Sequence, residues 1–471
     1  TKWFDTNYHY IVPEFSRDID FSLSSTKPID EYKEAKAEGI ETRPVLIGPV
    51  TFLLLGKTQE DDLDALDLLD DLLPVYAEVL QKLADAGCEA VQLDEPTLVL
   101  DLSDEERAAF TEAYEALADA VDLDLHVATY FGGLEDNLPT ALDLPVNSLH
   151  LDLARAPGQL QDALDHGVPD DLSLSLGLID GRNVWRADLD DLLETVQTAV
   201  DALGTDRVLV GPSCSLLHVP VDLDTEPALS DDMKRWFAFA KQKVEEIVAL
   251  SRRADGDTDG TEALFEKSRE AREARAQSDW INNDSVQDRV AGIDASMTER
   301  DSPHAQRRPL QREALDLPTL PTTTIGSFPQ TDDVRRMRAK YKKEDISKDE
   351  YETFIEEQIA DTIEAQEEIG LDVLVHGEAE RGDMVEYFGR QLNGFLFTEN
   401  GWVQSYGTRC VRPPIIAGDV SRPEPMTTRW LSYANDQTDK PVKGMLTGPV
   451  TMLQWSFVRD DQPRAETCRQ I

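Results

Sequence analysis

Nine residues near the start of the chain recur near its end. Leu46-Ile-Gly-Pro-Val-Thr-Phe-Leu-Leu and Leu446-Thr-Gly-Pro-Val-Thr-Met-Leu-Gln agree at six of nine positions, 400 residues apart. Agreement of this quality, on corresponding predicted strands, points to two domains descended from one duplicated unit. A chain of 471 residues has room for two such domains and a connector. By the same offset, a counterpart of Gln92-Leu-Asp-Glu-Pro falls just beyond Ile471.

Within the first domain, short apolar runs alternate with longer amphipathic ones. The runs are Pro44–Leu55, Ala90–Leu100, Leu123–Phe131, Ser148–Leu153, Leu172–Ile179 and Arg207–Leu216. Each reads as continuous, the pattern of parallel strands buried on both faces. Between the first two, Leu63, Leu66, Leu69, Leu73, Tyr76 and Leu80 recur at three- and four-residue spacing, and Gly87 stands where a helix C-cap belongs. Six such βα units predict a doubly wound sheet or a (β/α)8 barrel; a barrel needs two more, expected upstream of Thr1. Residues 1–250 are read as this domain and 251–320 as a charged helical connector, which Leu264, Phe265, Val286, Val290 and Ile293 could dock. Residues 321–471 are read as the first part of a second barrel. Phe354, Ile355, Ile359 and Ile363 predict one face of a long helix ending at Gly370, and Val442–Val450 a further strand.

Charge narrows the partners. With 93 acidic and 46 basic residues the net charge is −47, a field that repels nucleic acid and anionic membrane. Only 16 of the basic residues are Lys, against 30 Arg, and an acid-rich, Lys-poor surface suits a salty cytoplasm, where carboxylate repulsion is screened. Cys88, Cys214, Cys410 and Cys468 lie far apart with no CxxC, so no disulfide framework or zinc ribbon is read. No apolar stretch spans a bilayer and no signal peptide opens the chain, so a cytoplasmic protein is expected, working as a monomer. The first residue is Thr1 rather than Met, and three strands cannot close the second barrel; a longer parent chain is expected.

In βα barrels functional groups project from the C-terminal ends of strands. Ile325-Gly326-Ser327 ends one predicted strand, where backbone N–H groups and a hydroxyl could receive a carboxylate; Glu378 ends the next and could pair with an ammonium group. Together they read as an amino-acid clamp. Asp94-Glu95-Pro96 also ends a strand, as a catalytic or a buried hydrogen-bonding pair. His9, His126, His150, His166, His218, His304 and His376 stand singly, none at metal-ligand spacing. Trp402 and Trp455 lie near strand ends, suited to stacking or to simple packing.

Longer strings carry a family resemblance. Thr1-Lys-Trp-Phe-Asp-Thr-Asn-Tyr-His-Tyr, Pro44-Val-Leu-Ile-Gly-Pro-Val-Thr, Gly181-Arg-Asn-Val-Trp-Arg, Ser213-Cys-Ser-Leu-Leu-His, Thr322-Thr-Thr-Ile-Gly-Ser-Phe-Pro-Gln-Thr, Val375-His-Gly-Glu-Ala-Glu-Arg and Asn400-Gly-Trp-Val-Gln-Ser-Tyr-Gly-Thr-Arg-Cys resemble cobalamin-independent methionine synthase. The resemblance implies an α/β fold of two duplicated (β/α)8 TIM-type barrels, both incomplete in this chain. It implies transfer of the methyl group of 5-methyltetrahydropteroyltriglutamate to homocysteine, with zinc and without cobalamin. It assigns Ile325, Gly326, Ser327 and Glu378 to homocysteine, Arg409, Cys410 and Trp455 to the methylfolate, and Lys2 to its polyglutamate tail. Zinc would lower the homocysteine thiol pKa, and a general acid would protonate the methyl donor.

The zinc ligands and proton donor of the family fall beyond Ile471, so no metal or catalytic residue is assigned in this chain. Asp152 and Cys214 align with zinc-ligand positions of the second barrel, but Ala128 and Tyr130 stand where the other ligands would be. Two expectations follow: a stretch of a methionine synthase, inactive by itself, or a non-catalytic relative that binds folate or an amino acid.

Overall fold

The computed structural model describes Thr1–Ile471. Two compact units emerge, Thr1–Arg275 with Thr398–Arg412, and Ala276–Phe397 with Pro413–Ile471.

In the first unit a short strand β1 (Glu14–Phe15) precedes β2 (Val45–Ile47) and β3 (Lys57–Thr58), and then come β4 (Ala90–Asp94), β5 (Asp124–Ala128), β6 (Ser148–Asp152), β7 (Ser173–Ile179) and β8 (Val208–Pro212). Six of them form a parallel sheet in the order β2-β4-β5-β6-β7-β8. A doubly wound sheet reverses its order at a switch point; this one advances in a single direction. With right-handed crossovers all its helices fall on one face, which is how a barrel wall is built.

The strands are not buried on both faces in the same way, which corrects the continuous-run reading. Val91, Leu93, Leu125, Val127, Leu149, Leu151, Leu174 and Leu176 pack into the helix-side core with Leu80, Leu83, Phe110 and Tyr114. The alternate positions turn the other way and on β4–β7 are mostly polar. Gln92, His126 and Ser148 stand in one cross-strand row, and Asp94, Ala128, His150 and Ser175 in the next. On β4, β5, β6 and β7 two or three polar side chains per strand, set among Val and Leu, escape a reading based on apolar runs.

The run Pro44–Leu55 is also two elements rather than one strand. β2 ends at Ile47, Gly48 takes φ −70° and ψ 154°, and Pro49 opens the helix Pro49–Leu54. Proline suits this first helical position because its missing N–H would have no intrahelical partner there.

In the second unit β9 (Leu374–Val375) and β10 (Asn393–Leu396) are followed, after a hairpin of β11 (Val403–Tyr406) and β12 (Arg409–Val411), by β13 (Ile415–Ser421), β14 (Val442–Lys443) and β15 (Phe457–Val458). Here too the expected strand Val442–Val450 is short; Gly448 has φ −73° and ψ 157°, and Pro449 opens the helix Pro449–Gln454. The duplication reaches the strand pairing: β1 runs parallel to β3 through Glu14↔Lys57, and β13 parallel to β15 through Ile415↔Phe457. The helix Lys348–Ile369 buries Tyr351, Ile355, Ile359 and Ile363, and Gly370 closes it at φ +90°.

The hairpin β11–β12 belongs to the first unit. It meets a second hairpin at the chain start, closed by the antiparallel bridge Lys2↔His9; the two join at the parallel bridge His9↔Tyr406, where His9 N donates to Ser405 O at 2.6 Å.

Residues 251–320 are not uniformly exposed. The helix Glu262–Ala276 buries Phe265 against Ile179, Leu189 and Leu250, with the Arg275 guanidinium 4.0 Å from the Trp185 ring centre. In the second unit Val286 is buried on the helix Asp284–Ala291, while Ile293 is 40% exposed. The helix His304–Leu315 buries no residue.

Candidate functional site

In the second unit the segment carrying Ile325-Gly326-Ser327 runs beside the strand that leads to Glu378, through the parallel bridges Thr323↔Val373 and Ser327↔Gly377. Their ends therefore coincide. A Cβ on Gly326 would lie 2.7 Å from Glu378 Oε1 and 2.8 Å from Met445 Cε, so the absent side chain is what lets the carboxylate lie against this strand. Ile325 is 88% exposed, Ser327 is exposed, and Glu378 is 4% exposed.

Glu378 occupies the left-handed region at φ +62°, directly after Gly377 at φ +82°. For a non-glycine residue this costs on the order of 1–3 kcal/mol and persists where surrounding contacts over-determine it. Its carbonyl accepts from Arg381 N at 3.1 Å and from Gln330 Nε2 at 3.3 Å. One terminal nitrogen of Arg338 lies 2.8 Å from Ala379 O, 2.8 Å from Arg381 O and 2.7 Å from Gln330 Oε1.

The carboxylate has charged neighbours. Arg381, 2% exposed, places a terminal nitrogen 3.6 Å from Glu378 Oε1 and donates from Nε to Glu380 Oε1 at 2.8 Å. His376 Nε2 lies 3.0 Å from the same Glu380 oxygen. Burial pushes the Glu380 carboxyl up, but the His376 hydrogen bond and the Arg381 charge outweigh it and hold the pKa below the ordinary glutamate value. Two buried carboxylates thus face one guanidinium, beside a histidine. Sequence reasoning named Glu378 and left Glu380, Arg381, His376, Arg338 and Gln330 without roles. The string Val375-His-Gly-Glu-Ala-Glu-Arg held the signal for three of them, a repeated acid and a base within one turn.

The residues expected at the methylfolate divide between the units. Lys2, Arg409 and Cys410, all exposed, lie on the two outer strands of the paired hairpins: Lys2 bridges His9, His9 bridges Tyr406, Tyr406 pairs with Arg409, and Cys410 with Gln404. Trp455 belongs to the second unit, where it follows the helix Pro449–Gln454 and packs half-buried on the cluster of Phe388, Ile416 and Met452. Trp402 is 51% exposed beneath the Arg412 guanidinium, 5.2 Å from its ring centre.

In the first unit the corresponding strand ends are filled by the chain's own residues. Trp3 packs with Ala128, Tyr130 and Cys214. The Tyr130 hydroxyl donates to Asp94 Oδ2 at 3.0 Å, and Asp152 Oδ2 accepts from Phe131 N at 2.8 Å, holding Phe131 at φ +79°. Burial raises the Asp152 pKa to about 6 and pushes the Cys214 thiol up. The zinc that the resemblance implies does not fit the residues present: no group of three His, Cys, Asp or Glu side chains converges to hold a metal ion. His126 and His150, with ring centres 6.3 Å apart, bond serines of the neighbouring strand.

Known proteins agree with the motifs. Residues 1–204 match the family model described as cobalamin-independent synthase, N-terminal domain, and residues 320–471 match cobalamin-independent synthase, catalytic domain. The whole chain aligns at 86% identity with 61% of the 5-methyltetrahydropteroyltriglutamate–homocysteine methyltransferase of Salinibacter ruber. The same enzyme of Rhodopseudomonas palustris is 56% identical over 60% of its length, and that of Flavobacterium johnsoniae 54% over 62%. The chain spans about three-fifths of the length of these curated relatives. No helix is long and apolar enough to cross a membrane. Two family models covering both units, with relatives of one name matching along the full chain, lead to one conclusion: the chain belongs to the cobalamin-independent methionine synthase family.

Proposed function

We propose that this chain takes part in transferring the methyl group of 5-methyltetrahydropteroyltri-L-glutamate to L-homocysteine, giving L-methionine without cobalamin. The observation that carries the reading is the buried Glu378 carboxylate lying against Gly326 at paired strand ends. Glu380 already holds the Arg381 Nε and His376, whereas the nearest Arg381 nitrogen is 3.6 Å from Glu378 Oε1, beyond hydrogen-bond reach, so the buried Glu378 carboxylate has need of a closer cation. The ammonium group of an amino acid supplies one. Its carboxylate then falls toward the backbone N–H groups of Ile325–Ser327 and the Ser327 hydroxyl, and the thiol is left free to face the methyl donor. Lys2, an exposed cation at the chain start, suits the anionic glutamate tail, Arg409 and Cys410 are assigned to the methylfolate, and Trp455 offers an aromatic face to the pterin. A cytoplasmic monomer and a surface adapted to high salt complete the reading, the latter on the net charge of −47.

Isothermal titration of homocysteine into the wild-type chain and Glu378→Gln tests the site. Loss of the charged partner is expected to cost about 2–3 kcal/mol, with methylfolate binding unchanged. Equal homocysteine affinity in the two proteins would remove the assignment. The expectation of an inactive chain finds no support in the catalytic-domain match over residues 320–471, and methionine formation is measured in the same preparation.

A further inference from the structure

We propose that Arg338 is the positioning residue of the homocysteine site: with Gln330 it straps the turn Gly377–Arg381 so that the Glu378 carboxylate stays against Gly326. The turn has two successive left-handed residues, Gly377 at φ +82° and Glu378 at φ +62°, and such a backbone needs outside restraint. Its own restraints are Arg381 N to Glu378 O at 3.1 Å and Phe328 N to Gly377 O at 2.9 Å. The carbonyls between are held from another element. Arg338 stands on the helix Asp332–Lys342, whose start is capped by the Thr331 hydroxyl. From there one guanidinium nitrogen reaches Ala379 O, Arg381 O and Gln330 Oε1 within 2.8 Å, and Gln330 passes the restraint on to Glu378 O at 3.3 Å. Arg338 touches backbone, Gln330 and the Tyr351 side chain, none of them a group assigned to the ligand, so it acts on the ligand through Glu378. The two protons of this nitrogen are shared among the three acceptors, and the guanidinium plane fixes where they point, which the freely rotating ammonium of a lysine does not.

The assignment rests on the homocysteine reading of Glu378, and the experiment separates the two. Arg338→Met and Arg338→Lys are made in the full chain and compared by hydrogen exchange of residues 377–382, by thermal midpoint, and by titration with homocysteine and with methyltetrahydropteroyltriglutamate. In Arg338→Met, exchange of the turn is expected to quicken about tenfold and homocysteine affinity to fall about tenfold. Arg338→Lys should recover part of both, while the thermal midpoint and methylfolate affinity hold. Arg338→Met combined with Glu378→Gln should bind homocysteine no more weakly than Glu378→Gln alone, because both act through one carboxylate. Unchanged exchange, or additive losses in the double variant, overturns the proposal. If the wild-type chain binds no homocysteine, the substrate reading falls and the exchange result alone decides the strap. Should Arg338→Met fail to fold, Gln330→Ala removes one link of the strap and is read by the same exchange and titration measurements.

Discussion

The Glu95 carboxylate accepts a hydrogen bond from the backbone nitrogen of Thr51 at 2.8 Å. Two strings that stood apart in the sequence, Gly48-Pro49-Val50-Thr51 and Asp94-Glu95-Pro96, are therefore one buried structure. The Tyr114 hydroxyl donates to Glu95 at 3.0 Å, Thr51 and Thr97 share a hydroxyl bond of 2.7 Å, and a Cβ on Gly48 would overlap the carboxylate. Of the two readings the sequence left for this acid, the buried hydrogen-bonding one fits its environment.

That environment sets a pH dependence. Burial raises the Glu95 pKa to about 7 from 4.5, against the hydrogen bonds from Thr51 and Tyr114. The folded state thus keeps a proton that the unfolded chain releases, so the stabilisation is complete below pH 4.5 and is lost as pH rises through about 7. The loss amounts to about 3 kcal/mol at 1.36 kcal/mol per pKa unit. In Glu95→Gln this share disappears, and urea unfolding at about pH 5 and about pH 7 should give closer free energies than in the wild type.

The polar rows on the first sheet act in the opposite sense. His150 Nε2 points at Ser213 O, 3.3 Å away, and its Nδ1 lies 2.9 Å from Ser175 Oγ; a carbonyl only accepts, so Nε2 carries a proton. Burial lowers the pKa of His126 to about 3 and of His150 to about 4. Their stabilisation is present above pH 6.5, the ordinary value, and is lost as pH falls through about 4 for His150 and about 3 for His126. Imidazole carbon resonances of both residues should stay fixed from about pH 8 to about pH 5. A midpoint near 6.5 for either would show that it is hydrated.

Gly326→Ala tests the contact beneath Glu378. The new methyl would stand 2.7 Å from Oε1, closer than carbon and oxygen can approach, and displace the carboxylate. Homocysteine affinity should drop by about tenfold or more, roughly 1.4 kcal/mol. Thermal unfolding should move little, since Met445, the other neighbour, is flexible. Retained affinity would place the ligand elsewhere.

Salt should stabilise this chain. At −47 the carboxylates repel one another and the anionic substrate tail alike. Raising potassium chloride from about 0.1 M to about 2 M shrinks the Debye length from roughly 10 Å to under 3 Å, and the thermal midpoint and methylfolate association rate should both rise. A flat or falling midpoint would make the acidity unrelated to salt.

Much of the site was legible from short-range signals. The 400-residue repeat announces the duplication, and Gly326 and Glu378 read as strand-end residues from the sequence alone. The register of the polar rows was not, because which strand faces which is fixed by long-range pairing, and a histidine reads the same in a core row as on a surface. The extent of β2 was misjudged because Ile47 and Val50 are equally apolar, although Gly48-Pro49 marks the break between them.

What the sequence determined by itself is local and chemical: where helices stop, where a proline must open one, which residues can carry charge, and that two segments share an ancestor. These depend on neighbours within a few positions. Only the tertiary structure decided that the hairpin Val403–Val411 joins Lys2–His9 in the first unit, and that Arg338 on one helix fixes the backbone beside Glu378. Backbone carbonyls and exposed strand edges look alike at every residue, so their partners are chosen by how the chain packs, and no residue type announces the choice.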